Sequence, residues 1–215
     1  MNGDWAAQNL QTIRTLMERT ALYRRALAPV MIAVGCIGLA AAILGWKLGI
    51  AQPDHFIGYW LAVAFIAAGA GFALVRRQAV QAGEPVWSPP ARRVVQSALP
   101  ALGAGLLLAV AVILEAPVKA SQFPGLEDIL AMKWLPQGWV ILYGCAVHAA
   151  GFVLPRGMKL FGWAFVVAGS LLFLAGTPSL SPAGYGHALM GFFFGLLHQA
   201  YGVYLFLTEK KDPAA

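Results

Sequence analysis

Four histidines, His55, His148, His187 and His198, are the residues of this 215-residue chain best suited to ligand or proton chemistry. Each lies in or beside a long apolar run, where an ionisable side chain marks a functional position by default. His187 and His198 share one run with Gly184, Gly191, Gly195 and Gly202. In a helix these six residues fall on one arc of about 60–80° at about 100° per residue. A glycine stripe admits a second backbone or a flat ligand at close range, and Gly191-x-x-x-Gly195 has the small-xxx-small spacing of packed membrane helices. The plainest use of Gly184, Gly191, Gly195 and Gly202 is therefore helix packing.

The histidines open a sharper alternative. His148 and His198 lie a little past the middle of two runs that point the same way, so their imidazoles share a depth. Two histidines at one depth can hold a haem iron axially. The rise from His187 to His198 is about 16 Å, room for two stacked b-type haems, with His55 and His187 at the outer entrances. This alternative makes the chain a redox subunit carrying haem b or quinone. Against it stands the simpler use of a neutral imidazole, a hydrogen bond to a neighbouring helix. The primary reading needs no cofactor.

Other chemistries find less support. Proton-coupled transport normally needs an intramembrane carboxylate or lysine, and no Asp, Glu, Lys or Arg lies well inside a run. Asp54, His55, Glu115, Glu127, Asp128 and His187 match no metal-ligand spacing. His187 ahead of Gly191-x-x-x-Gly195 loosely resembles the histidine helix of rhomboid intramembrane proteases. The offset is one residue too long, and Ala168-Gly169-Ser170-Leu171 is not the Gly-x-Ser-Gly nucleophile motif. Cys36 and Cys145 lie inside apolar runs and read as packing residues.

The elements that position these residues follow from composition. The chain is 60% hydrophobic and 11% charged, whereas soluble domains carry about 25% charged residues. A helix crossing the hydrocarbon core needs roughly 20 apolar residues. Six segments qualify: 27–46, 56–75, 98–114, 137–154, 160–175 and 185–207. Nothing alternates with strand period, so the expected fold is all-α, a six-helix membrane bundle arranged as three hairpins.

The 15 basic residues orient it. With the N-terminus inside, Arg14, Arg19, Arg24, Arg25, Arg76, Arg77, Arg92, Arg93, Arg156, Lys159, Lys210 and Lys211 fall on the cytoplasmic side, and only Lys47, Lys119 and Lys133 outside. The net charge of +6 is thus a topology signal and implies no nucleic acid. Trp46, Trp60, Trp134 and Trp139 make an outer aromatic belt. Residues 1–26 are expected to form a cytoplasmic amphipathic helix, with Leu10, Ile13, Met17 and Ala21 at helical spacing. Residues 27–208 form the membrane domain and 209–215 a cytoplasmic tail. Between the third and fourth spans, Leu126, Ile129, Leu130 and Trp134 predict a short helix lying flat on the outer leaflet. A weak threefold repeat relates the hairpins through Ala70-Gly71-Phe72, Ala150-Gly151-Phe152 and Tyr201-Gly202-Val203.

The stretch Leu10-Gln11-Thr12-Ile13-Arg14-Thr15-Leu16-Met17-Glu18-Arg19, then Tyr23-Arg24, together with Gly162-Trp163-Ala164-Phe165 and the histidine-bearing last span, resembles a group of uncharacterised bacterial six-span integral membrane proteins. That resemblance implies a six-span fold and carries over no activity. The expectation is a multi-pass protein of the bacterial inner membrane, both termini cytoplasmic, contacting the lipid bilayer and a protein partner or a second copy. Its role would be that of an accessory, sensory or anchoring subunit with no evident catalytic site. A small-molecule or lipid carrier is a further alternative.

Overall fold

The computed structural model describes residues 27–120, 123–154, 156–174 and 180–208. The expected amphipathic helix and the C-terminal tail lie outside the described residues. Within them the fold is helical, with six continuous helical stretches and no strand. We number them α1 (Leu27–Lys47), α2 (Pro53–Gln81), α3 (Pro89–Ala120), α4 (running on from Leu126–Ile129 through Leu130–Trp134 to Leu135–Ala150), α5 (Arg156–Leu174) and α6 (from Pro182 to Thr208).

Five of these are long and apolar enough to cross a membrane: Leu27–Lys47, Pro53–Gln81, Pro89–Glu115, Gly157–Leu174 and Pro182–Thr208. The expected fourth span is the exception. Its regular α-helical part, Leu135–Ala150, has 16 residues, and residues 151–154 form turns instead of continuing it.

Proline explains several boundaries. Pro53 and Pro182 occupy first turns, where a missing N–H leaves nothing unsatisfied. Helix α3 begins at Pro89, so Pro100 sits in the helix interior. In α4, Pro136 lacks the N–H that would bond the Met132 carbonyl, and its ring crowds that carbonyl. The preceding residues Leu130–Trp134 relax into a π-helical turn. The segment expected to lie flat as a separate helix therefore joins α4 end to end, and Ala131, Met132 and Leu135 are buried. The freed Met132 carbonyl stands 2.6 Å from where a Cβ on Gly186 would be, so only glycine lets α6 pass.

Packing runs through small residues. Helices α1 and α6 are antiparallel, since Gly45 meets His187, Gly191 meets Ala42, Gly195 meets Leu39, and Gly202 meets Ile32. A Cβ on Gly195 would lie 2.9 Å from the Leu39 amide nitrogen, and one on Gly202 at 2.9 Å from that of Ile32. Helices α4 and α5 close in the same way, with Gly144 and Gly162 each facing the other's carbonyl at 2.8 Å. Helix α4 also packs along α3, where the Trp139 indole donates to the Gly105 carbonyl at 2.9 Å. Sequential α2 and α3 touch only sparingly. The three glycines of the apparent repeat have different neighbours: Gly71 meets Val30, Gly151 meets Lys159, and Gly202 meets Ile32 and Met31.

Candidate functional site

Helix α6 carries two of the buried polar side chains, His187 and His198. Its start is fixed by Ser181, whose hydroxyl accepts from the Gly184 amide at 3.2 Å. Two turns on, His187 turns inward and is 2% exposed. Its Nε2–H donates to the Ile50 carbonyl at 2.9 Å, and its Nδ1 accepts from the Trp60 indole at 3.2 Å. An indole only donates, so Nδ1 is unprotonated and the ring is the Nε2–H tautomer. Phe56 and Tyr59 close round it, with ring centroids at 4.9 and 6.1 Å. Gly45 leaves the space that the ring occupies.

Between the histidines, Gly191–Leu197 adopts a π-helical register. Such insertions leave carbonyls without their usual partner, and one side chain exploits this. His198, fully buried, donates from Nδ1 to the Phe193 carbonyl at 2.9 Å. Its Nε2 accepts from the Tyr143 hydroxyl at 2.7 Å. Phe161, Phe165 and Phe194 surround the pair, with centroids 5.2, 5.5 and 6.0 Å from the imidazole. A third node joins three helices: the buried Gln137 amide donates to the Leu172 carbonyl at 3.2 Å and to the Tyr185 hydroxyl at 2.8 Å. Its Oε1 is buried with no partner among the described residues.

The other two histidines stand apart. His55 is exposed, 4.0 Å from Asp54. His148 is partly exposed, with Nδ1 3.4 Å from the Lys159 carbonyl and its ring against Phe152 and Trp163. The structure does not bring His148 and His198 to a common space. His148 meets Lys159 and Trp163 of α5, whereas His198 meets Phe161 and Phe165. Residues two apart on a helix point in roughly opposite directions, so α5 stands between the two imidazoles. Both nitrogens of His187 and both of His198 already have protein partners, so in this arrangement neither offers a lone pair to an iron. These side chains do not fit a bis-histidine haem. Among the described residues no group of three His, Cys, Asp or Glu side chains is placed to hold a metal ion.

Of the glycines expected to pack, Gly191, Gly195 and Gly202 face α1, while Gly184 lies near Ser181 and Trp46. Sequence reasoning did not single out Trp60, Tyr143, Gln137 or Tyr185 as partners. The available signal was chemical: Gln137 and Tyr143 are hydrogen-bonding side chains in an apolar run, and such groups need partners in lipid. Comparison of the chain with protein-family models, curated proteins and solved structures finds no match in any of the three.

Proposed function

We propose that the chain is a six-span protein of the bacterial inner membrane, with both termini cytoplasmic, that serves as an accessory or anchoring subunit of a membrane complex. The observation that carries this reading is the commitment of all four ring nitrogens of His187 and His198 to groups of the same chain. Among the described residues, the imidazoles of His187 and His198 and the amide of Gln137 are used to tie helices together. Helix α4 is the sixth span. From Leu126 to Ala150 it is continuous, and at about 1.5 Å per residue it exceeds the roughly 30 Å of the hydrocarbon core. The outward faces of α2 and α3 are apolar, including Phe65, Ile66, Leu107 and Leu114, and meet lipid.

Gentle solubilisation of native membranes tests the role. The chain is expected to migrate with a larger assembly, and deletion of residues 1–22 is expected to release it. Migration alone at the mass of one chain plus its detergent, at native expression level, contradicts the proposal. A colourless preparation is expected too; a Soret band lost in His198→Ala would replace it with the redox reading.

A further inference from the structure

The turn between α4 and α5 gathers groups that the bundle itself does not use. Lys159, in the first turn of α5, holds its ammonium 3.7 Å from the centroid of Phe152, a ring that is 70% exposed. No carboxylate lies within ion-pairing distance of it among the described residues. His148 completes the cluster, its ring centroid 5.5 Å from those of both Phe152 and Trp163. The Lys159 carbonyl can only accept, so His148 Nδ1 carries the proton and Nε2 is left as an acceptor. That nitrogen, the ammonium and the Trp163 indole N–H have no hydrogen-bond partner among the described residues.

A cation, an acceptor nitrogen and an indole donor, flanked by exposed apolar rings, match a particular ligand chemistry. A phosphodiester satisfies the ammonium and the indole, a hydroxyl on the same headgroup satisfies Nε2, and acyl chains cover Phe152, Leu160 and Trp163, all exposed. A headgroup with both features is that of an anionic glycerophospholipid bearing free hydroxyls. We propose that Lys159, His148 and Trp163 form a binding site for phosphatidylglycerol at this end of the α4–α5 hairpin. The proposal rests on the membrane reading above, since the acyl chains need a bilayer to come from.

Native mass spectrometry of the full-length chain in mild detergent, titrated separately with phosphatidylglycerol, phosphatidic acid and phosphatidylcholine, tests it. The unaltered chain is expected to retain phosphatidylglycerol most strongly and phosphatidylcholine least. Lys159→Gln is expected to weaken phosphatidylglycerol retention about fivefold, the contribution of one interfacial cation. His148→Phe keeps the ring packing and is expected to lower phosphatidylglycerol to the level of phosphatidic acid. Lys47→Gln, at the opposite end of the bundle, is expected to change nothing. Equal retention of phosphatidylglycerol and phosphatidylcholine, or a Lys159→Gln variant that binds as before with an unchanged melting temperature, overturns the site. A phosphatidylglycerol preference that survives His148→Phe overturns the assignment of the hydroxyl. Failure of these tests by a chain that still requires detergent leaves the membrane reading standing; a chain monodisperse in detergent-free buffer removes both.

Discussion

Helices α3 and α6 are both long and apolar, yet they play opposite parts. Of the most apolar stretch of α3, 11% is buried within the chain; for α6 the share is 39%. Helix α3 turns Leu102, Leu106, Leu107, Val110 and Leu114 outward and buries little beyond Gly105 and Ala109 against α4. Helix α6 buries two histidines, three glycines facing α1 and a π-helical turn. In water this would be a fault, because α3 would bury its leucines first. In lipid apolar contact is available everywhere, so a helix reaches the centre through close backbone approach and hydrogen bonds. The difference between the two helices teaches that what is polar or small, and not what is greasy, decides position in this bundle.

The sharpest way to break the contrast is to enlarge one glycine on each helix. Gly195→Leu drives a side chain into the Leu39 backbone and is expected to destabilise by about 3 kcal/mol or to prevent assembly. Gly103→Leu enters open space and is expected to stay within about 0.5 kcal/mol of the parent. Unfolding in mixed micelles reads both, and equal effects would erase the distinction.

Next in size is His198→Phe. It preserves the aromatic packing but strands the Tyr143 hydroxyl and the Phe193 carbonyl, for an expected loss of about 2 kcal/mol. His55→Phe, at an exposed position, is expected to be silent in the same assay. Trp60→Phe removes one donor from His187 and is expected to cost about 1 kcal/mol, in line with single hydrogen bonds between membrane helices. Smallest is Leu107→Ala on α3, where the side chain is 70% exposed: a change below about 0.5 kcal/mol is expected, and a larger loss would mean that this face packs against protein.

Much of this architecture was legible in residue types alone. Length and apolarity mark α1, α2, α3, α5 and α6, and the glycines at 191, 195 and 202 mark the face of α6 that meets α1. What sequence could not supply was pairing. Sequence spacing puts His148 and His198 at a common depth, and only the packing of Gly144 on Gly162 puts α5 between them. The π-helical turn before Pro136 follows from that proline's missing N–H, but its consequence, the Met132 carbonyl against Gly186, involves residues 54 positions apart in the chain. The likeness of Gly71, Gly151 and Gly202 in sequence hid three different surroundings, because Ala and Gly recur in any membrane helix and small residues fit many partners.

The central claim is that the outward face of α3 meets lipid. A nitroxide on Leu107→Cys, with Cys36 and Cys145 replaced by alanine, reads this in liposomes through collision with dissolved oxygen and with a water-soluble nickel chelate. Because oxygen concentrates in acyl chains and the chelate does not enter them, the account predicts strong relaxation by oxygen and almost none by nickel. Strong relaxation by nickel would place this face in water and contradict it.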